Sequence, residues 1–135
     1  MKWDRIVAVS VATVGTMATH LWGGADEILI LLITLMSLDY ILGIICGYKR
    51  GKLSSVTGFQ GLLKKMTILI IIAVGVSVDA AVGAEGAVRA MVIFFYVGME
   101  GISILENAVI IGVPVPDKLE EALIQLRQGN RKGDK

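Results

Sequence analysis

Charge is scarce in this sequence. Of its 135 residues 19% are Asp, Glu, Lys or Arg and 55% are hydrophobic, with a mean hydropathy of +0.74. A soluble domain carries about 25% charged residues and needs polar surface over most of its exposed area. This chain offers too little, so its class is membrane protein, with one domain at most. Cysteine is nearly absent: the lone Cys46 excludes an internal disulfide and a Cys-based metal site, and reads as a space-filler in a helix. The lone histidine, His20, reads as an interfacial polar residue near Trp22, with a proton-relay role as the alternative. There is no G-x-x-x-x-G-K-[ST] loop, no H-E-x-x-H and no metal-ligand cluster. With no soluble domain to hold a substrate, neither catalysis, cofactor nor metal is expected. The basic residues hug apolar segments, so nucleic acid is not an expected partner.

What is present is long apolar runs. Four of them, about 6–22, 28–48, 66–84 and 88–111, approach the length of roughly 20 residues that a helix needs to cross hydrocarbon. The first is the weakest, being rich in Thr, Ala and Gly. It resembles a signal peptide with Lys2 and Arg5 ahead of it, but no small-x-small cleavage site follows, and it reads as a retained helix. The expected fold is an all-α membrane protein: a four-helix domain over 1–113, then a cytoplasmic amphipathic helix and polar tail over 114–135.

Basic residues orient these spans. Lys2 and Arg5 precede the first; Lys49, Arg50, Lys52, Lys64 and Lys65 lie between the second and third; Lys118, Arg127, Arg131, Lys132 and Lys135 follow the fourth. The other two connections hold Asp26, Glu27 and Glu85, with Arg89 the one base nearby. The positive-inside rule then puts both termini and the middle segment in the cytoplasm. That segment, KRGKLSSVTGFQGLLKK, reads either as an interfacial helix on anionic head groups or as a loop with orienting charges only. Pro114 and Pro116 end the fourth span. Beyond them Leu119, Leu123 and Leu126 share one helical face, and QGNRKGDK reads as a disordered stub.

The last three spans carry acids: Asp39, Asp79, and Glu100 with Glu106 in EGISILENAV. A charge at mid-bilayer costs roughly 2.5–3.5 kcal/mol on insertion scales, so these groups must face protein or water, pair, or stay protonated. Gly43 and Gly47 follow Asp39 at steps of four, and Gly75 and Gly83 flank Asp79 in the same way. Small residues of this kind let helices approach closely, with polar groups bonding across the contact. Ser103 and Asn107 share the Glu100 face. One reading makes the acids interhelical hydrogen-bond glue; the other makes them the lining of a hydrated path or a control on assembly. No clear intramembrane basic partner is legible. Arg89 is expected to reach Glu85 or Asp79, but not all the acids.

Two blocks, DYILGIICGYKRGKLSSVTGFQGLLKKM (Asp39 to Met66) and EGISILENAVIIGVPVPDKLEEAL (Glu100 to Leu123), resemble the signature regions of the toxin secretion/phage lysis holin family. Asp39, Tyr40, Gly43, Gly47, Ser54, Ser55, Gly58, Gly61, Lys64 and Lys65 fit the first; Glu100, Ser103, Glu106, Asn107, Gly112, Pro114 and Pro116 fit the second. The resemblance implies a phage or prophage protein of the bacterial inner membrane that oligomerises with itself and opens lesions. These release endolysin, with no direct contact required, or export a toxin, and they dissipate the membrane potential. The residues leave open a small proton-coupled transporter or ion channel, and a non-conducting anti-holin.

Overall fold

The computed structural model describes residues 1–128; the expected polar stub lies, from Gly129 on, outside them. The described chain is five helices: α1 Lys2–Trp22, α2 Glu27–Lys49, α3 Ser55–Val82, α4 Ala87–Ile111 and α5 Asp117–Gln128. Three of these, α2, α3 and α4, are long and apolar enough to cross a membrane. The first helix, expected as a fourth span, is not among them. It is exposed along its length save for partial burial at Ala18 and Trp22; it packs on α3, and at its end the Trp22 carbonyl accepts from Arg89 of α4.

Local chemistry sets each boundary. Asp26 caps α2 by accepting from the Leu29 N–H at 3.1 Å, and Ser54 caps α3 by accepting from Thr57 at 3.1 Å. Because Ser54 starts a helix that nothing interrupts until Gly83, most of the middle segment, read as an interfacial helix or a loop, is the start of α3. The third span accordingly begins at Ser55 rather than Met66. Gly83, expected as a helix-packing residue, ends α3 in the left-handed conformation with open space around it. Gly112 ends α4 in the same way, before Pro114 and Pro116.

The centre of the molecule is α4, packed by α2, α3 and α5. Asp26 meets Arg89 at one end and Lys49 meets the Ile110 and Ile111 carbonyls at the other, so α2 and α4 run parallel. The antiparallel α3 closes the triangle: Asp79 lies against the start of α4 and Lys65 against its middle. Leu32, Met36, Ile68, Ile72, Ile93 and Val97 form the core. Their faces repeat at steps of three and four: 32, 36, 39, 43 and 46 on α2, and 65, 68, 72, 75 and 79 on α3. Lipid tails are as apolar as leucine, so this core holds by close contact rather than by exclusion of water. The buried Gly75 lets α3 approach α4: a Cβ there would sit 3.6 Å from the Arg89 Cα.

Rather than standing apart, α5 folds back antiparallel along α4. Leu123 covers Gly101, and the backbone of Leu123 and Arg127 covers Gly98. A Cβ on Gly98 would fall 2.6 Å from the Arg127 nitrogen, so no side chain fits beneath α5.

Candidate functional site

Halfway along α2 and α4, three charged side chains converge inside the bundle. The Lys65 ammonium donates to Asp39 Oδ2 at 2.6 Å and to Glu100 Oε2, with Lys65 14% and Glu100 9% exposed. Asn107 Nδ2 donates to the second Asp39 oxygen at 3.4 Å, and the Cys46 thiol donates to the Asn107 carbonyl at 3.3 Å. Each helix contributes because its inward stripe carries a charged residue in this layer: Asp39 on α2, Lys65 on α3 and Glu100 on α4. Two carboxylates around one ammonium leave one negative charge, or one proton, to be accommodated. In a low dielectric an uncompensated charge of this kind is costly to hold.

Lys65 therefore does not belong with the surface bases, and the intramembrane partner that sequence reading did not find is this residue. Charge counting assigned the Lys64–Lys65 pair to a loop because the apolar run begins at Met66. The signal was available in the spacing: Lys65 sits on the stripe of Ile68, Ile72, Gly75 and Asp79.

Access to the cluster is one-sided. A cavity of about 410 Å³ runs from it toward the Lys49 end of the bundle, over Gly43, Gly47 and Gly61, and Lys52 and Lys64 line it too. Ser103 and Asn107 complete its polar wall. Toward the other end the six core residues close the way. Asp39, Glu100, Ser103, Asn107, Gly43 and Gly47 are thus brought together, whereas Glu106 is exposed. Lys49 is spent on the carbonyls that end α4, at 2.9 and 3.2 Å; Arg50 is exposed at the end of α2.

A second polar knot seals the opposite end. Buried Arg89 reaches neither Glu85 nor, through its side chain, Asp79. Its guanidinium forks onto Asp26 at 2.7 and 3.0 Å and donates to the Trp22 and Gly24 carbonyls at 2.6 and 3.1 Å. Gly23 gives it room: a Cβ at this left-handed residue would sit 2.7 Å from the Arg89 Nε. Asp79 instead accepts the backbone N–H groups of Val88 at 2.9 Å and Arg89 at 2.7 Å. It caps α4 from across the bundle, because Gly86 has no side chain to do so.

The Arg89 hydrogen bonds, together with the Leu29 N–H, hold the Asp26 carboxyl below the usual carboxylate range. A carboxyl depressed by folding contributes stability above its unfolded pKa and loses it as the pH falls through the folded value. Thermal unfolding of the purified protein in detergent is therefore expected to show a midpoint that drops at acid pH. Asp26→Asn should flatten that part of the curve, with a lower midpoint at neutral pH.

The profile of the bacteriophage holin family matches residues 16–128, which span α2 to α5 and the end of α1. The chain belongs to the bacteriophage holin family. A probable holin of Bacillus phage phi105 is 29% identical over 107 residues, covering 79% of each chain. An uncharacterized 14.9 kDa protein in the nagH 3' region of Clostridium perfringens is 40% identical over 127 residues, 93% of this chain and 92% of the relative. YtkC of Bacillus subtilis is 31% identical over 121 residues, covering 90% and 87%. No solved structure matches. Family membership supports a holin role, and it agrees with three helices of membrane-crossing length. Both polar knots of this holin-family chain lie within the matched region: Trp22, Asp26, Asp39, Lys65, Asp79, Arg89, Glu100 and Asn107.

Proposed function

We propose that this chain is a holin of the host inner membrane, in which copies assemble and open lesions that release endolysin and dissipate the membrane potential. In this reading α1 is the fourth span and both termini are cytoplasmic. The helix suits lipid despite its threonines, since Thr13, Thr16 and Thr19 each donate to the carbonyl four residues back. The middle bases and the start of α3 lie at the cytoplasmic head groups. A toxin is an alternative cargo.

The observation that carries the reading is the Asp39–Lys65–Glu100 cluster with its one-sided cavity. A lysis protein must stay harmless as it accumulates and then change state. The cluster pairs both carboxylates with one ammonium inside a single chain, and the apolar layer beyond it keeps water from crossing. Opening exchanges these internal pairs for pairs between copies, or for water.

Induced expression with and without endolysin, followed by membrane potential and culture density, tests the reading. A lag, abrupt depolarisation, and lysis only with endolysin are expected; steady growth at intact potential excludes an autonomous holin and favours a transporter or anti-holin. The two α4 acids should then separate. Glu100→Gln removes a carboxylate bound to Lys65 and is expected to shift lysis time, whereas exposed Glu106→Gln should leave it unchanged. Equal lysis times for Glu100→Gln and the unsubstituted chain would remove the cluster from the trigger.

A further inference from the structure

The position of α5 conflicts with a surface or lipid setting. Its contacts with Gly98 and Gly101 place its second half beside the middle of α4. Leu123, Ile124 and Arg127 are half-buried on the near side. The far side carries Lys118, Glu121, Gln125 and Gln128, at steps of three and four, all exposed. Where α4 crosses the bilayer, that far side stands at membrane depth. Hydrocarbon is excluded as its neighbour, since a charge there costs roughly 2.5–3.5 kcal/mol and the two glutamines add unpaired amides. The cytosol is excluded while α5 stays seated, because Gly98 lies well inside the span. Water within the membrane remains.

Resting on the holin reading above, we infer that the outer face of α5 lines the aqueous passage of the assembled lesion and that hydrated cations are the ions it favours. The sign follows from the residues. Among the described residues Asp117, which adjoins that face, and Glu121 on it are exposed against Lys118, while Arg127 is turned toward α4. Gly98 and Gly101 thereby gain a purpose that neither core nor cluster gives them: they form the seat that brings a polar helix to this depth. The lining also explains how a molecule with so apolar an exterior presents a wet surface, by turning α5 inward among copies.

The test is ion preference. Full-length protein in planar bilayers is measured in a potassium chloride gradient whose dilute side is about 10 mM, where charge acts over roughly 30 Å and a wide passage still feels its wall. The unsubstituted chain is expected to pass potassium over chloride. Glu121→Gln, nearly isosteric and exposed, should lower the permeability ratio; Glu121→Lys and Gln125→Lys should lower it severalfold. Asp4→Lys, at an exposed position on α1 rather than α5, should leave it unchanged. Conductance with one ratio in all five proteins overturns the assignment of α5 and leaves the lesion standing. A shift by Asp4→Lys as large as that by Glu121→Lys also overturns it, since a general surface potential then suffices. No conductance from the unsubstituted chain overturns the lesion reading itself.

Discussion

Lys65→Met is expected to be among the most damaging single substitutions in this chain, costing about 3–5 kcal/mol, the usual loss when one partner of a buried pair is removed. The methionine fills the space, so the loss is electrostatic. Asp39 and Glu100 would be left facing each other among Gly43, Met99 and Asn107 with no cation between them. The chain would respond by protonating the acids, hydrating the cavity or parting α3 from α2 and α4. Denaturation in mixed micelles, followed by circular dichroism, should show the lowered stability. The companion Asp39→Asn/Lys65→Met/Glu100→Gln should recover most of it, because neutral partners of the same shape leave no buried charge uncompensated. Failure of the triple substitution to recover would mean that Lys65 acts through its shape alone. In lysis assays the single variant should accumulate poorly or fire early, whereas the triple should insert but lose its timing.

The helices themselves were largely legible in the sequence. Apolar runs located α2, α3 and α4, and the proline pair with its leucine spacing located α5. What failed was the link between charge and place. Arg50 and Lys52 are exposed between α2 and α3, but Lys65 lies on a buried stripe where hydropathy averages hide it. Ser54 was the local clue, since a capped helix that starts at Ser55 carries Lys65 well past its first turns. The Arg89 contacts were illegible for a different reason. Its partners lie 63 to 67 residues away in sequence, and the carbonyls of Trp22 and Gly24 carry no sequence signal at all. The seat of α5 was written only as two glycines in an apolar run, which many helices have.

Arg89→Met is the second large effect, and it should strike a different part of the molecule. Arg89 is 9% exposed, and its guanidinium ties Asp26 to the turn between α1 and α2 through four hydrogen bonds. Hydrogen bonds to a charged group contribute about 1.5–3 kcal/mol each, and they do not add; a total loss of about 3 kcal/mol or more is expected. The backbone N–H of residue 89 would still reach Asp79, so α4 keeps its cap and the Lys65 cluster stays assembled. The damage should therefore be local. Trp22, whose indole donates to the Leu69 carbonyl at 2.9 Å, would lose the brace on its own carbonyl, and α1 would lose much of its tie to the bundle. Hydrogen exchange in micelles should show faster exchange across residues 18–30, with the α4 amides near Glu100 little changed. Arg89→Lys should rescue only part, because an ammonium cannot fork onto both Asp26 oxygens and reach two carbonyls at once. Uniformly faster exchange in all the helices would instead make Arg89 a support of the whole bundle. The sealed Arg89 end and the open Lys49 end would then be a single cooperative unit.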